Sequence, residues 1–251
     1  LVYAIILFAF LDLFTQLPVM STYAISLGAS AMLAGLIVGM YSLTNTFGNV
    51  LAGIFTDKIG AGKILSAGLL LTSLSLLAYH FADNVQLLLI VRFVHGFLGG
   101  LIVPAAFTFM ANETKREKQG SQSAISGSFV GLAAIIGPAY SGIAASRISV
   151  PFVFMTIAVL GLILFLCALI VLRSQGPVKH KQHAAEDRQQ RDKFILTKGM
   201  VRAFIGAFFL MFSQGALAYL LPQHVESLGF SSRLSGTLMS LFGLTAVLVF
   251  T

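Results

Sequence analysis

The chain has 251 residues, of which 57% are hydrophobic and only 10% charged, with a net charge of +7 and a mean hydropathy of +0.91. A soluble domain carries about 25% charged residues, so a chain this apolar has too little polar surface for water and belongs in a membrane. The positive charge does not require nucleic acid, because the basic residues are dispersed among acids and glutamines instead of lining a groove.

A helix needs about 20 predominantly apolar residues to cross a bilayer. Eight such segments follow one another: Leu1 to Met20, Ala31 to Phe55, Ile64 to Phe81, Val85 to Met110, Ser121 to Ser146, Val150 to Leu172, Lys198 to Leu221 and Leu234 to Thr251. They are continuous apolar runs, not the ten-residue alternations of a barrel, so the expected fold class is an all-α membrane protein. The first segment lacks a basic leader and runs directly into a second, so it is not expected to be a cleaved signal. Because residue 1 is Leu, a short N-terminal piece is expected to precede it. The single Cys167 lies inside an apolar run and reads as packing material.

Basic residues set the orientation. Lys58 and Lys63 fall between the second and third segments, and Lys115, Arg116 and Lys118 between the fourth and fifth. Arg173, Lys179, Lys181, Arg188, Arg191, Lys193, Lys198 and Arg202 fill or flank the connection after the sixth, while the opposite connections hold only Arg147 and Arg233. This asymmetry predicts a cytoplasmic N-terminus. The stretch from Arg173 to Lys193 is the only long polar segment, opening with Gly176-Pro177, and reads as a cytoplasmic linker. His180 and His183 within it have no Cys or carboxylate partners at metal-ligand spacing, so no metal or other cofactor is expected.

One phrase occurs twice. Ser26 to Gly35 reads S-L-G-A-S-A-M-L-A-G, and Ser227 to Gly236 reads S-L-G-F-S-S-R-L-S-G. Leu43-Thr44 returns as Leu244-Thr245 in the same register, and both copies join one apolar segment to the next. Parallel duplication of whole helical bundles is one way in which secondary transporters are built. The expected organisation is a six-helix bundle over residues 1–172, a linker over 173–197 and, over 198–251, the first two helices of a second bundle that is truncated here.

Three motifs are more specific. Gly53 to Lys63, G-I-F-T-D-K-I-G-A-G-K, joins the second and third segments. Arg92 to Gly100, R-F-V-H-G-F-L-G-G, lies in the fourth, with Arg92, His95, Gly96 and Gly99 on one helical face. Gly127 to Gly142, G-S-F-V-G-L-A-A-I-I-G-P-A-Y-S-G, lies in the fifth. Together they resemble the major facilitator superfamily, and in particular its bacterial drug–proton antiporters, over essentially the whole chain. The first resembles Gly-x-Leu-Ala-Asp-Arg-x-Gly-Arg-Lys, with Ala61 and Gly62 where two basic residues usually follow. The resemblance implies that Gly53, Asp57, Lys58, Gly60 and Lys63 latch two bundles in one access state, Gly53 allowing close helix approach and Gly60 a tight turn. The second resembles an Arg-x-x-Gln-Gly motif linked to proton transfer, with His95 in place of Gln. The third resembles the antiporter signature Gly-Pro-x-x-Gly-Gly, carried by Gly137, Pro138 and Gly142 with Ser141 replacing one glycine.

The residues also stand on their own chemistry. A charge at mid-membrane costs about 2.5–3.5 kcal/mol on the mildest scale, so Arg92 faces a cavity or partner, or else reaches outward to water. His95 reads equally as a packing histidine or a proton carrier. Asp12, in F-A-F-L-D-L-F-T-Q-L-P with Thr15 and Gln16 one turn on, is a carboxyl inside the first segment, placed to exchange a proton or to pair permanently with Arg92. The second copy has no matching acid; Gln214 and Ala216 stand nearest. Tyr41, Asn45 and Asn49 recur at steps of four, a polar stripe suited to a cavity wall or to helix–helix hydrogen bonds. Gln16 is a further cavity candidate.

The expectation is a proton-coupled exporter of drugs or other small amphipathic molecules, a monomer when full length in the bacterial cell membrane. The alternative is an uptake symporter for a sugar or other metabolite. An intramembrane enzyme would need a nucleophile and base or paired metal ligands such as H-E-x-x-H, which the sequence lacks, and a receptor would not need the repeat.

Overall fold

Lipid offers no hydrogen bonds, so an apolar chain crossing it must satisfy its own backbone, and helices result. The computed structural model describes residues 1–114, 118–173 and 197–250, and every regular element among them is helical. The expected linker residues 174–196, with His180 and His183, and also Lys115, Arg116 and Thr251, lie outside the described residues.

Among the described residues seven helices are long and apolar enough to span a membrane, and a bent pair adds an eighth. That pair is the first span. Val2–Gln16 and Met20–Ser26 meet at 47° across Leu17, Pro18 and Val19. Pro18 has no backbone N–H to continue the first helix, so the span breaks there and runs on to Ser26, beyond the expected end at Met20. The second span is Ala31–Ile59, and the third is Ala61–Leu77 closed by a 3-10 turn over Ala78–Phe81. The fourth is Val85–Gly99 followed by Ile102–Glu113, the fifth Gln119–Arg147 and the sixth Val150–Arg173. The seventh and eighth are Lys198–Ser227 and Ser232–Phe250.

The repeated phrase is a helix stop. In the first copy, Gly28 takes φ +94° and the N–H of Ala29 reaches back to the Ala24 carbonyl at 3.1 Å. In the second, Gly229 takes φ +82° and the N–H of Phe230 reaches the Val225 carbonyl, also at 3.1 Å. A left-handed glycine with this six-to-one bond is the Schellman cap, which satisfies carbonyls left open at a helix C-terminus. The duplication thus preserves the turn that starts each second helix.

Between the second and third spans the connection is a single residue. The helices end at Ile59 and resume at Ala61, with Gly60 at φ +104°. The expected loop is therefore absent. Asp57 and Lys58 sit in the last turn of one helix and Lys63 in the first turn of the next.

The core lies where the first, third, fourth and sixth spans meet, around Ile5, Phe8, Leu69, Leu88, Ile102 and Phe154. The second span packs on the fourth and the fifth on the first. The eighth packs along the fifth.

Candidate functional site

Where the first, second and fourth spans converge, the core turns polar. Asp12, Gln16, Arg92 and His95 are each 3% exposed or less. A group this deep must be hydrogen-bonded, and each is. His95 Nε2 lies 3.0 Å from Asp12 Oδ2. Gln16 Nε2 donates to Asp12 Oδ1 and to the Asp12 carbonyl, both at 3.0 Å, and Thr15 Oγ1 donates to the same carbonyl at 2.9 Å. Arg92 Nη1 donates to Gln16 Oε1. The remaining guanidinium donors go to backbone: Nε to the Ile37 carbonyl at 3.0 Å and Nη2 to the Val38 carbonyl at 2.9 Å. Arg92 Cζ also stands 5.0 Å from the centre of the Tyr41 ring.

This geometry decides between the two sequence readings of Arg92. It does not reach outward to water, and it does not pair directly with Asp12. The carboxyl has His95 as its direct ionisable partner, and Gln16 separates it from the guanidinium. Gln16 accordingly belongs to the network behind the cavity and is not among the cavity-lining residues. The second and fourth spans come close enough for these bonds because Gly96 has no side chain. A Cβ there would stand 2.4 Å from the Tyr41 carbonyl oxygen.

Beside the network lies a cavity of about 210 Å³ whose lining includes Phe10, Asp12, Tyr41, Asn45, Asn49 and Val103. Asn49 Nδ2 donates to Asn45 Oδ1 at 3.0 Å, and Asn45 Nδ2 donates to the Gly96 carbonyl at 3.3 Å. The stripe on the second span lies along this cavity and, through Asn45, ties two helices. Aromatic rings, two amides and one carboxyl face this space, a lining suited to a small amphipathic ligand. Among the described residues no group of three or more His, Cys, Asp or Glu is placed to hold a metal ion.

The sequence reading missed Tyr79. Its hydroxyl lies 3.0 Å from His95 Nδ1, its ring is fully buried, and it stacks on Phe154 with ring centres 4.1 Å apart. A tyrosine at the end of an apolar run usually marks a membrane interface, so its position alone pointed away from the core.

The other motifs are elsewhere. Gly137 touches the first span, where a Cβ would stand 2.9 Å from Phe14 Cβ. Gly142 and Gly236 face each other between the fifth and eighth spans, with a Cβ on Gly236 falling 2.3 Å from the Pro138 carbonyl oxygen. Ser240 Oγ and Ser232 Oγ add bonds to the Ile135 and Gly142 carbonyls along the same seam. The expected antiporter signature is thus the face on which the repeat's second helix packs. Asp57, Lys58 and Lys63 are exposed at the Gly60 turn. A Cβ on Gly53 would meet nothing within 4 Å among the described residues.

The fold is thus that of a multi-pass membrane protein, a bundle of membrane-spanning helices with a buried ionisable network and a cavity beside it. The sequence profile of the Major Facilitator Superfamily matches residues 2–251, and the chain belongs to that superfamily. It is 32% identical over 139 residues to an uncharacterised transporter of this type from Methanocaldococcus jannaschii, covering 55% of this chain and 36% of that protein. It is 24% identical to Multidrug resistance protein 2 of Bacillus subtilis, over 81% of this chain and 50% of that one. It is 23% identical to Quinolone resistance protein NorA of Staphylococcus aureus, over 78% and 49%. The chain thus spans half or less of the length of these relatives. Its fold is similar to that of a D-xylose-proton symporter, with a TM-score of 0.69 at 16% identity, covering 97% of this chain and 64% of the other.

Proposed function

We propose that the chain is the first bundle and the opening of the second bundle of a proton-coupled exporter of drugs or similar amphipathic molecules. Residues 1–172 form the first bundle, 173–197 the linker, and 198–251 begin the second. The mechanism is alternating access, the two bundles rocking about a central site while a proton enters as substrate leaves. The observation that carries the reading is the position of Asp12: a carboxyl 2% exposed that lines the cavity while bonded to His95. It can meet a substrate on one face and hold or release a proton on the other. The names of the Bacillus and Staphylococcus relatives support drugs as substrates.

In this reading Asp12 is the coupling carboxyl, Arg92 holds the compensating charge, and His95 shares the proton. Tyr41, Asn45 and Asn49 form the cavity wall. Pro138 and Gly142 let the two bundles approach and Gly137 seats the fifth span on the first, while Asp57, Lys58 and Lys63, around Gly53 and Gly60, latch the bundles at one end. Lys58, Lys63 and Lys118 gather at that end and Arg147 and Arg233 at the other, which orients the N-terminus to the cytoplasm of a bacterial cell membrane. The protein works as a monomer, needs no cofactor and catalyses no reaction.

The test is proton-gradient-driven movement of the lipophilic cationic dye ethidium in everted vesicles, wild type beside Asp12→Asn. Exchange of dye against protons that is lost in the variant is the expected result. Transport unaffected by the substitution would remove Asp12 from coupling. Movement of substrate together with protons would replace export by symport.

A further inference from the structure

His95 is held from both sides, and the two partners are chemically unlike. Nε2 faces the Asp12 carboxyl at 3.0 Å and Nδ1 faces the Tyr79 hydroxyl at 3.0 Å. With a neutral ring, Nε2–H donates to Asp12 and the Tyr79 hydroxyl donates to Nδ1. With an imidazolium, both nitrogens donate, and the Tyr79 oxygen must accept. A hydroxyl does either by turning its hydrogen, whereas a carbonyl or an ammonium in its place would fit only one charge state. Other groups surround the ring. Arg92, on its own helix, donates to Gln16, Ile37 and Val38, and its charge also reaches the Tyr79 hydroxyl. Tyr41 of the second span meets the ring edge-on, 5.1 Å between centres, and Phe154 of the sixth lies behind Tyr79.

We infer that the coupling proton is stored on the Asp12–His95 pair and that Tyr79 is the positioning residue that lets the pair exist in both charge states. Uptake of one proton from water in the cavity raises the charge of the pair by one: carboxylate and neutral imidazole become carboxylate and imidazolium, and Nδ1–H now donates to the Tyr79 oxygen. This rests on the reading of Asp12 as the coupling carboxyl. Tyr79 is not among the residues that line the cavity.

The experiment is the pH dependence of ethidium transport by the whole protein in proteoliposomes, for wild type, Tyr79→Phe, His95→Gln and the double variant. Phenylalanine keeps the stack on Phe154 and removes only the hydroxyl. Hydrogen bonds to a charged donor are about twice as strong as neutral ones, so losing this partner disfavours the protonated pair more than the neutral one. The transport midpoint of Tyr79→Phe should move to lower pH by about half a unit or more, with the KM for dye exchange unchanged. In the His95→Gln background proton-driven exchange should be lost with or without the Tyr79 hydroxyl. An unshifted midpoint in Tyr79→Phe, or proton-driven exchange retained in His95→Gln, overturns the inference. Wild-type transport indifferent to the proton gradient would instead overturn the exporter reading on which it stands.

Discussion

Asp12 and Arg92 are held apart by a single amide. Gln16 donates to Asp12 Oδ1 at 3.0 Å and accepts from Arg92 Nη1, so opposite charges on the first and fourth spans communicate without contact. A contact ion pair would take the place at the carboxyl oxygen that the Gln16 amide now fills. Replacing Gln16 by Ala removes the spacer and lets the guanidinium close on the carboxyl. Ethidium transport should then fall several-fold across its pH profile, because the carboxyl oxygen is no longer free to exchange partners. A variant with normal membrane levels and an unchanged profile would reduce the bridge to packing.

Arg92 is bound by a fork. Its Nε and Nη2 take the carbonyls of Ile37 and Val38 while Nη1 takes Gln16. A lysine carries the charge but not the planar array of donors, so Arg92→Lys should leave at least one of these acceptors unmet. The expected loss is about 1–3 kcal/mol, seen as earlier thermal unfolding in detergent. Asn45→Ala, which removes one long cross-helix bond of 3.3 Å and the bond from the part-buried Asn49, should cost less because no charged donor is left unmet. Equal stability of Arg92→Lys and wild type would contradict the assigned contacts.

The seam between the fifth and eighth spans leaves no room at Gly142, where a Cβ would stand 2.6 Å from the Ser232 carbonyl oxygen. Gly127, on the same helix, has nothing within 4 Å. Gly142→Leu should lose most transport, with overpacking worth about 1–3 kcal/mol, whereas Gly127→Leu should retain it. Similar activity in the two variants would show that the seam is not needed in any state of the cycle.

The two repeat glycines make a stability prediction independent of transport. Gly28→Ala and Gly229→Ala force a side chain into the left-handed region and should each cost about 1–2 kcal/mol. Gly39, a helical residue with open space around it, is the control, and Gly39→Ala should be neutral or stabilising. Thermal unfolding of the three variants separates the cases; an unaffected Gly229→Ala would mean that the second turn is not held as the first is.

Much of the fold was legible because lipid imposes a simple rule on the chain. Eight apolar runs gave eight spans, and the duplicated phrase gave the repeat. What the runs could not show were their ends. Pro18 bends the first span instead of closing it, and the second and third spans nearly merge at Gly60, because charged residues such as Lys58 can stay helical once past the apolar layer. Within the site, Asp12, Arg92 and His95 stood out as ionisable groups in apolar surroundings. Their pairing did not: Asp12–His95 contact depends on the rotation of two helices distant in sequence, and the interposed Gln16 depends on its rotamer. Tyr79 carried no signal of its own, since only tertiary packing distinguishes a buried tyrosine from one at a membrane surface.

The Gly60 turn has a mechanical consequence. Successive Cα atoms lie about 3.8 Å apart, so two peptide steps keep Ile59 and Ala61 within about 7.6 Å of each other in any conformation. The second and third spans are thus leashed at one end with almost no slack. A tilt of the second span cannot be absorbed there as sliding; it must drag the third span with it, and through the third the sixth, against which it packs. Force applied to the exposed charges at this turn would be delivered to half the bundle at once.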